Sequence, residues 1–421
     1  MHPVLRILGI GFAFALTAIA WLTLGGVTSS RTSEQQLQLD GRVSDLWGRS
    51  QSQSAPRLQQ EWVEEVPKIE YVKDDKGNRS EVRRIERVQR TAEASVASTR
   101  ATVDLRLDQR RKGLLWFPLY DVAFDGTWTY QHGEPDRDLR ILFAFPDTQG
   151  IYDGFYFRVN GQNHSASLSP ADGRISAVVP VKFGETVEIE SGYRSRGMRT
   201  WEYKPTDGVG QIEDFLLTMT TDFSSIDFPA LTMSPSRRET ADGGWKLEWG
   251  FSRLVSGYGI GMAMPERIQP GELASEMSFS AALPLGLFFL WIYVLGLLRG
   301  TEIHPVNYLF IAGAFFAFNL LFSYTADHLP LEWAFLLASV VSVGLVVSYL
   351  RLVVGPRFAF LEAGLAQILY QVGFSAAHLG EGYTGLTITV LGIVTLFALM
   401  QLTGRVNWST VLQAKRAPAP A

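Results

Sequence analysis

The chain has 421 residues, no cysteine and a formal net charge of −4. Without cysteine there is no disulfide framework, no thiolate metal site and no thiol nucleophile. All but seven of the 38 Lys and Arg residues, and all but five of the 42 Asp and Glu, fall within residues 27–278. Neither that segment nor the remainder carries the concentrated basic patch of a nucleic-acid binder.

Residues 5–25 form one apolar run of about 20 residues, long enough as a helix to span a hydrocarbon core. Leu37, Leu39, Val43 and Leu46-Trp47 continue a helical stripe beyond it, which Ser50–Pro56 breaks. From Leu58 the pattern turns to strand. Val63, Val66, Ile69 and Val72 lead to the turn cluster Asp74-Asp75-Lys76-Gly77-Asn78, and residues 83–88 form the returning strand. The charge density there also fits a solvated helix. Further strands are predicted over 101–107, 114–124, 139–145, 154–159, 175–183, 186–193, 198–203, 215–221 and 245–251. Asn160-Gly161 and Ala171-Asp172-Gly173 are hairpin punctuation. Many short strands at regular spacing predict an antiparallel sandwich or a related β-rich domain. Ser256-Gly257-Tyr258-Gly259-Ile260-Gly261 is glycine-rich but lacks the strand–helix setting of a nucleotide fingerprint, and a flexible loop is expected.

Five more apolar segments follow, over 279–298, 306–326, 331–350, 357–377 and 384–403. Inside a bilayer every backbone N–H and C=O needs a partner within the protein, so all six segments are expected to be helices. Their flanks are asymmetric. One side holds Arg6, Arg299, Arg351, Arg357, Arg405, Lys415 and Arg416, whereas the opposite short loops hold no Lys or Arg. The positive-inside rule then predicts cytoplasmic termini and a translocated segment 27–278. Ala18-Ile19-Ala20 has the form of a signal-peptidase site, but the apolar run continues through Trp21, Leu22 and Leu24, which favours a retained anchor. The expected layout is an anchor over 1–26, a β-rich domain over 27–278, a five-helix bundle over 279–404 and a tail over 405–421.

No zinc-protease helix, nucleophile elbow or phosphate-binding loop is present, and no two of the six histidines have metal-ligand spacing. No cofactor or metal is expected. Asp327-His328, at the outer end of the third span, offers a carboxylate beside an imidazole, a pair suited to proton transfer or cation binding. Adjacent helical residues point about 100° apart, so a helix-end cap is the alternative. Glu362 lies about 8 Å inside the fifth span, where an ionisable group marks a partner or a pathway; that depth also allows snorkelling toward the cytoplasmic surface, with Arg357 nearby. Gln367, Gln371 and Asn319 suit interhelical hydrogen bonds, and Gly344, Gly364 and Gly392 suit close helix packing.

The run Glu302-Ile303-His304-Pro305-Val306-Asn307-Tyr308 leads into a span ending Ala326-Asp327-His328. The chain closes with Thr403-Gly404-Arg405-Val406-Asn407-Trp408. Upstream stand Arg111-Lys112-Gly113-Leu114, Phe117-Pro118-Leu119-Tyr120, Phe124-Asp125-Gly126, and Gly41–Trp47 followed by Gln51. Together these resemble the CreD inner-membrane protein family, whose plan is one N-terminal span, a large periplasmic domain and a C-terminal helix cluster. The chain departs from that pattern at Asn307, where Gln is usual, at Ala326-Asp327, which replaces Ser-Glu, and in a shortened charged stretch before the second span. The resemblance implies an inner-membrane, non-enzymatic protein associated with cell-envelope integrity and envelope stress tolerance, and no catalytic residue. His304, Tyr308 and His328 are its matching motif positions.

The sequence therefore favours an inner-membrane protein whose β-rich periplasmic domain contacts an envelope protein or a peptidoglycan-linked component. The bundle would anchor it in the lipid bilayer. His304, Tyr308, Asp327, His328 and Glu362 are its candidate functional residues. The alternatives are a transporter or channel subunit built from the C-terminal helices, with Glu362, Asp327 and His328 along its path, and a membrane enzyme acting on lipid or peptidoglycan.

Overall fold

The computed structural model describes residues 3–73, 79–165, 170–241, 243–301, 303–380 and 382–404. The turn cluster at 74–78, Glu302, Glu381 and the tail from Arg405 lie outside the described residues. Two compact units form. One comprises residues 1–38, 113–115 and 268–421, the other residues 39–112 and 116–267.

Among the described residues of the second unit, fifteen strands build three sheets. They are β1 (Gln51–Ser54), β2 (Arg57–Lys73), β3 (Arg79–Ala94), β4 (Ser98–Lys112), β5 (Leu115–Gln131), β6 (Arg137–Ala144), β7 (Tyr152–Val159), β8 (Gln162–Asn163), β9 (Arg174–Val181), β10 (Thr186–Met198), β11 (Thr200–Lys204), β12 (Gly210–Thr221), β13 (Arg237–Ala241), β14 (Gly244–Ser256) and β15 (Ile260–Ala263). An eight-stranded sheet runs β13-β14-β12-β4-β5-β10-β7-β8, a four-stranded sheet β3-β2-β6-β9 and a three-stranded sheet β1-β11-β15. One core unites them. It draws Phe124, Trp128 and Trp249 from the large sheet, Ile141 and Phe143 from the four-stranded sheet, and Trp201, Tyr203 and Met262 from the three-stranded sheet. Period-2 burial accounts for this: in β5, Val122, Phe124, Trp128 and Tyr130 point inward while Asp121 and Asp125 point out.

Every strand predicted from 101 onward is present, and the charged arms are strands rather than a solvated helix, paired from Leu58↔Ala94 to Lys73↔Arg79. Two features depart from the expected antiparallel sandwich. β4 pairs with β12, and β1 with β11, in parallel. Such pairs join segments far apart in sequence, which local pattern does not reveal. The glycine-rich run is also not wholly a loop, since Ile260-Gly261 begins β15 against β11. The two predicted turns hold. Asn160-Gly161 (φ 50° and 75°) and Asp172-Gly173 (φ 49° and 69°) are left-handed at both central positions, the geometry two-residue hairpins need. The predicted strand 198–203 breaks at Arg199 (φ 69°), where the chain leaves one sheet for another. Its guanidinium clamps Asp40 with bonds of 2.8 and 2.5 Å, holding a conformation that a non-glycine residue rarely adopts.

The helical unit holds most of α1 (Pro3–Trp47), then α2 (Pro270–Ser280), α3 (Ala282–Leu298), α4 (Pro305–Thr325), α5 (Leu331–Val353), a helical run over 358–379 and a last helix, Thr384–Thr403. At 1.5 Å per residue, the 45-residue α1 is about 68 Å long. Among the described residues four helices are long and apolar enough to cross a membrane, and α2 with α3, bent by 41°, makes a fifth candidate. The segment expected to start at 279 therefore begins earlier, at Pro270, and is broken near Ala281. The run over 358–379 contains two π-helical stretches, Phe358–Gly364 and Ile368–Gly373, and is not among these candidates. Large apolar side chains of α1 (Leu8, Phe12, Ile19) and of the last helix (Ile393, Phe397, Met400) are more than half exposed, the surface that lipid contact selects.

Candidate functional sites

The motif around His304 builds the start of α4. His304 is its N-cap, with Nδ1 accepting from the Val306 N–H at 3.3 Å, and Pro305 occupies the first turn, where a missing N–H costs nothing. Asn307 Oδ1 accepts from the Tyr349 hydroxyl at 2.8 Å, tying α4 to α5. Pro305 and Tyr308, three apart, share a helix face, and so do Arg6 and Gly9 on α1. The two faces meet: a Cβ on Gly9 would lie 2.7 Å from Pro305 Cβ, and Arg6 lies beside the Tyr308 hydroxyl. Tyr308 is fully buried, with Phe289 edge-on at 5.0 Å between ring centroids. Arg6 is 7% exposed and its guanidinium sits over the Tyr293 ring at 5.4 Å. Neither its Nε nor its Nη2 has a hydrogen-bond partner.

The remaining candidates divide. Asp327 does not pair with His328. It is buried and accepts from Arg31 of α1 at 2.8 Å, with the same guanidinium over the Tyr324 ring. His328 is exposed, and its backbone N–H closes the turn onto the Thr325 carbonyl. Glu362 pairs with Arg299 at the C-cap of α3, not with Arg357, and its second oxygen is buried without a partner. Gln367 and Gln371 meet Ser342 of α5 in a buried network. Gln371 Oε1 accepts from Ser342 and from Gln367, each at 2.9 Å, and its amide donates to the Phe315 carbonyl of α4 at 2.9 Å. Asn319 does not join: its Oδ1 is buried and unpartnered. A Cβ on Gly364 would lie 3.3 Å from Val347 Cγ2, whereas Gly344 and Gly392 have open space where a side chain would be. The sequence marked Arg6 and Arg299 only as flanking cations, and Gly9 and Arg31 not at all. Their partners lie on other helices, distant in the chain, and for the three arginines the available signal was a cation at the edge of an apolar run.

In the β-rich unit, a groove of about 1030 Å³ crosses the outer face of the large sheet. Outward-pointing positions of neighbouring strands supply its lining: Asp104 and Arg106 of β4, Asp121 of β5, Arg194 and Arg196 of β10, Asp153 of β7. Arg194 stands opposite Asp153 in the β10–β7 register. Arg196 bonds Asp121 at 2.9 Å, and Arg106 bonds Asp104 at 3.1 Å. Asp45 and Arg49, at the end of α1, form one wall. Alternating charge of this kind suits a ligand carrying both carboxylate and ammonium or hydroxyl groups.

The segment around Gln51 supports that wall. Gln51 is 2% exposed, and its amide donates to Ser195 Oγ at 2.8 Å and to the Arg196 carbonyl at 3.0 Å. Trp47 lies under both Arg110 and Lys112. Burial pushes the Tyr120 hydroxyl well above its usual range, so it remains protonated and donates to the Thr200 carbonyl at 2.8 Å. Among the described residues no group of three or more His, Asp or Glu side chains is placed to hold a metal ion.

The family described as inner membrane protein CreD matches residues 2–409 of this chain. The chain belongs to that family. No curated protein matches it. Among solved structures, a Legionella pneumophila protein described as a candidate nutrient-binding protein is 10% identical. The alignment covers 53% of this chain and 82% of that one at a TM-score of 0.30, too low to establish a shared fold.

Proposed function

We propose that this member of the CreD inner membrane protein family supports cell-envelope integrity without catalysing a reaction, its β-rich unit lying in the periplasm and holding an envelope component in the charged groove. The groove carries the reading: it is wide, open and lined by paired and facing charges on a rigid sheet. The helical unit anchors it, with six spans and cytoplasmic termini. Arg106→Glu with Arg194→Glu inverts two exposed lining charges without touching the core. In a strain lacking the protein, this variant is expected to accumulate normally yet fail to restore resistance to dye entry and detergent. Full rescue would refute the groove as the working surface.

A second reading, a transporter or channel subunit, draws on the buried Ser342–Gln367–Gln371 network, which sits where the helix is interrupted by π turns, a feature frequent at functional sites. It predicts flux in proteoliposomes that Glu362→Gln or Asp327→Asn abolishes.

A further inference from the structure

We propose that Arg6, Tyr308 and the first turn of α1 form a binding site for the phosphate of an anionic phospholipid. Arg6 is more than nine-tenths buried, and two of its guanidinium nitrogens donate to nothing. No carboxylate pairs with it among the described residues, and Glu362 is held by Arg299. A guanidinium does not shed its proton to escape burial, so the charge calls for an anion. The Tyr308 hydroxyl is fully buried beside the Arg6 guanidinium and its own proton meets no acceptor, so it can donate to the same oxygen. The Tyr293 ring fixes the guanidinium plane. Arg6 also lies in the first turn of α1, where unsatisfied N–H groups and the positive end of the helix dipole favour negative charge.

The rim selects a lipid over a free phosphate. Leu5, Ile7 and Leu8 flank Arg6 at 54–64% exposure, and Val306 beside the α4 cap is 50% exposed. A diacyl chain would cover these side chains, which a soluble ion leaves bare. Two parallel N–H···O bonds from an arginine to a phosphate, with a hydroxyl as third donor, is the recognition such a headgroup takes.

The test uses the full chain, purified in neutral detergent, with phosphatidylglycerol retention measured by native mass spectrometry. Native protein is expected to retain phosphatidylglycerol in preference to phosphatidylcholine. Arg6→Gln is expected to weaken retention about tenfold, and Tyr308→Phe, which removes only a hydroxyl and leaves the packing intact, by several-fold. Arg351→Gln, a basic residue elsewhere in the bundle, is the control and is expected to change nothing. If Arg6→Gln does not fold, Tyr308→Phe decides. Unchanged retention in a folded variant at either position overturns the site. Displacement of the lipid by millimolar inorganic phosphate overturns the lipid assignment in favour of a soluble anion.

Discussion

Removing the Asp327 charge tests how α1 is held to the bundle. The carboxylate is 7% exposed and its partner Arg31 33% exposed, with 2.8 Å between them. Losing one partner of a fully buried pair costs about 3–5 kcal/mol, chiefly because the other charge is left unsolvated. Arg31 keeps one-third of its side chain in contact with solvent and retains the Tyr324 ring, so its stranding is partly relieved. About 2 kcal/mol is therefore expected for Asp327→Asn, intermediate between a buried pair and the ~0.2–1 kcal/mol of an exposed one. Arg31→Gln is expected to cost more, because the carboxylate it leaves behind is 7% exposed, whereas Asp327→Asn leaves a guanidinium that is one-third exposed. The measurement is a double-mutant cycle on unfolding in mixed micelles, with Asp327→Asn, Arg31→Gln and the double variant. A coupling below about 0.5 kcal/mol would show that the two act independently and that the contact does not clamp α1.

Three further outcomes follow from the same geometry. Gly9→Val places methyl groups where even a Cβ would lie 2.7 Å from Pro305, so thermal unfolding in detergent is expected to show a loss of roughly 1–3 kcal/mol. Gly11→Ala, with open space around it, is expected to be neutral or stabilising; equal losses at both sites would refute the close approach. Gln371→Leu removes three buried hydrogen bonds, and at about 0.6 kcal/mol each in a membrane setting the expected loss is roughly 2 kcal/mol, read from the same unfolding curve. In the β-rich unit, bonds from the Arg140 guanidinium hold the Glu61 carboxyl below its ordinary value of 4.5. The unfolded chain then takes up that proton at higher pH than the folded one. The pair's contribution is present above pH 4.5 and lost as pH falls further, so the stability difference between native protein and Glu61→Gln is expected to shrink on acidification below 4.5. A difference that stays constant through that range would refute the ion pair.

The β-rich unit was legible where the physics is local. Alternation of apolar and polar residues marks β5 and β10, and left-handed turn residues mark the hairpins at Asn160-Gly161 and Asp172-Gly173. Local pattern does not specify strand partners. The parallel pairing of β4 with β12 brings Val103 opposite Met219, a contact that exists only once the core between the sheets has formed. β15 escaped notice because Gly257, Gly259 and Gly261 dilute its apolar content. It nevertheless pairs with β11 and buries Ile260 and Met262 in the core.

The helical unit shows the same division at higher cost to prediction. Hydropathy located the apolar segments because lipid imposes one rule along the whole length of a span. It says nothing about the face each helix turns to its neighbours. Asp327 was placed correctly at a helix end, yet the residue that neutralises it sits 296 positions earlier on α1. Arg357 was noted near Glu362 in sequence, but the carboxylate meets Arg299 at the C-cap of α3, a partner on another helix that hydropathy does not reveal. The His304–Tyr308 motif makes the point most fully. Its proline, asparagine and tyrosine each touch a different helix: α1 through Gly9 and Arg6, α5 through Tyr349 and α3 through Phe289. A short motif at the start of a span can thus specify the packing of three other helices at once. That demand accounts for its residue types without any catalytic role, and beside the motif it leaves the guanidinium of Arg6 as a group whose chemistry packing alone does not satisfy.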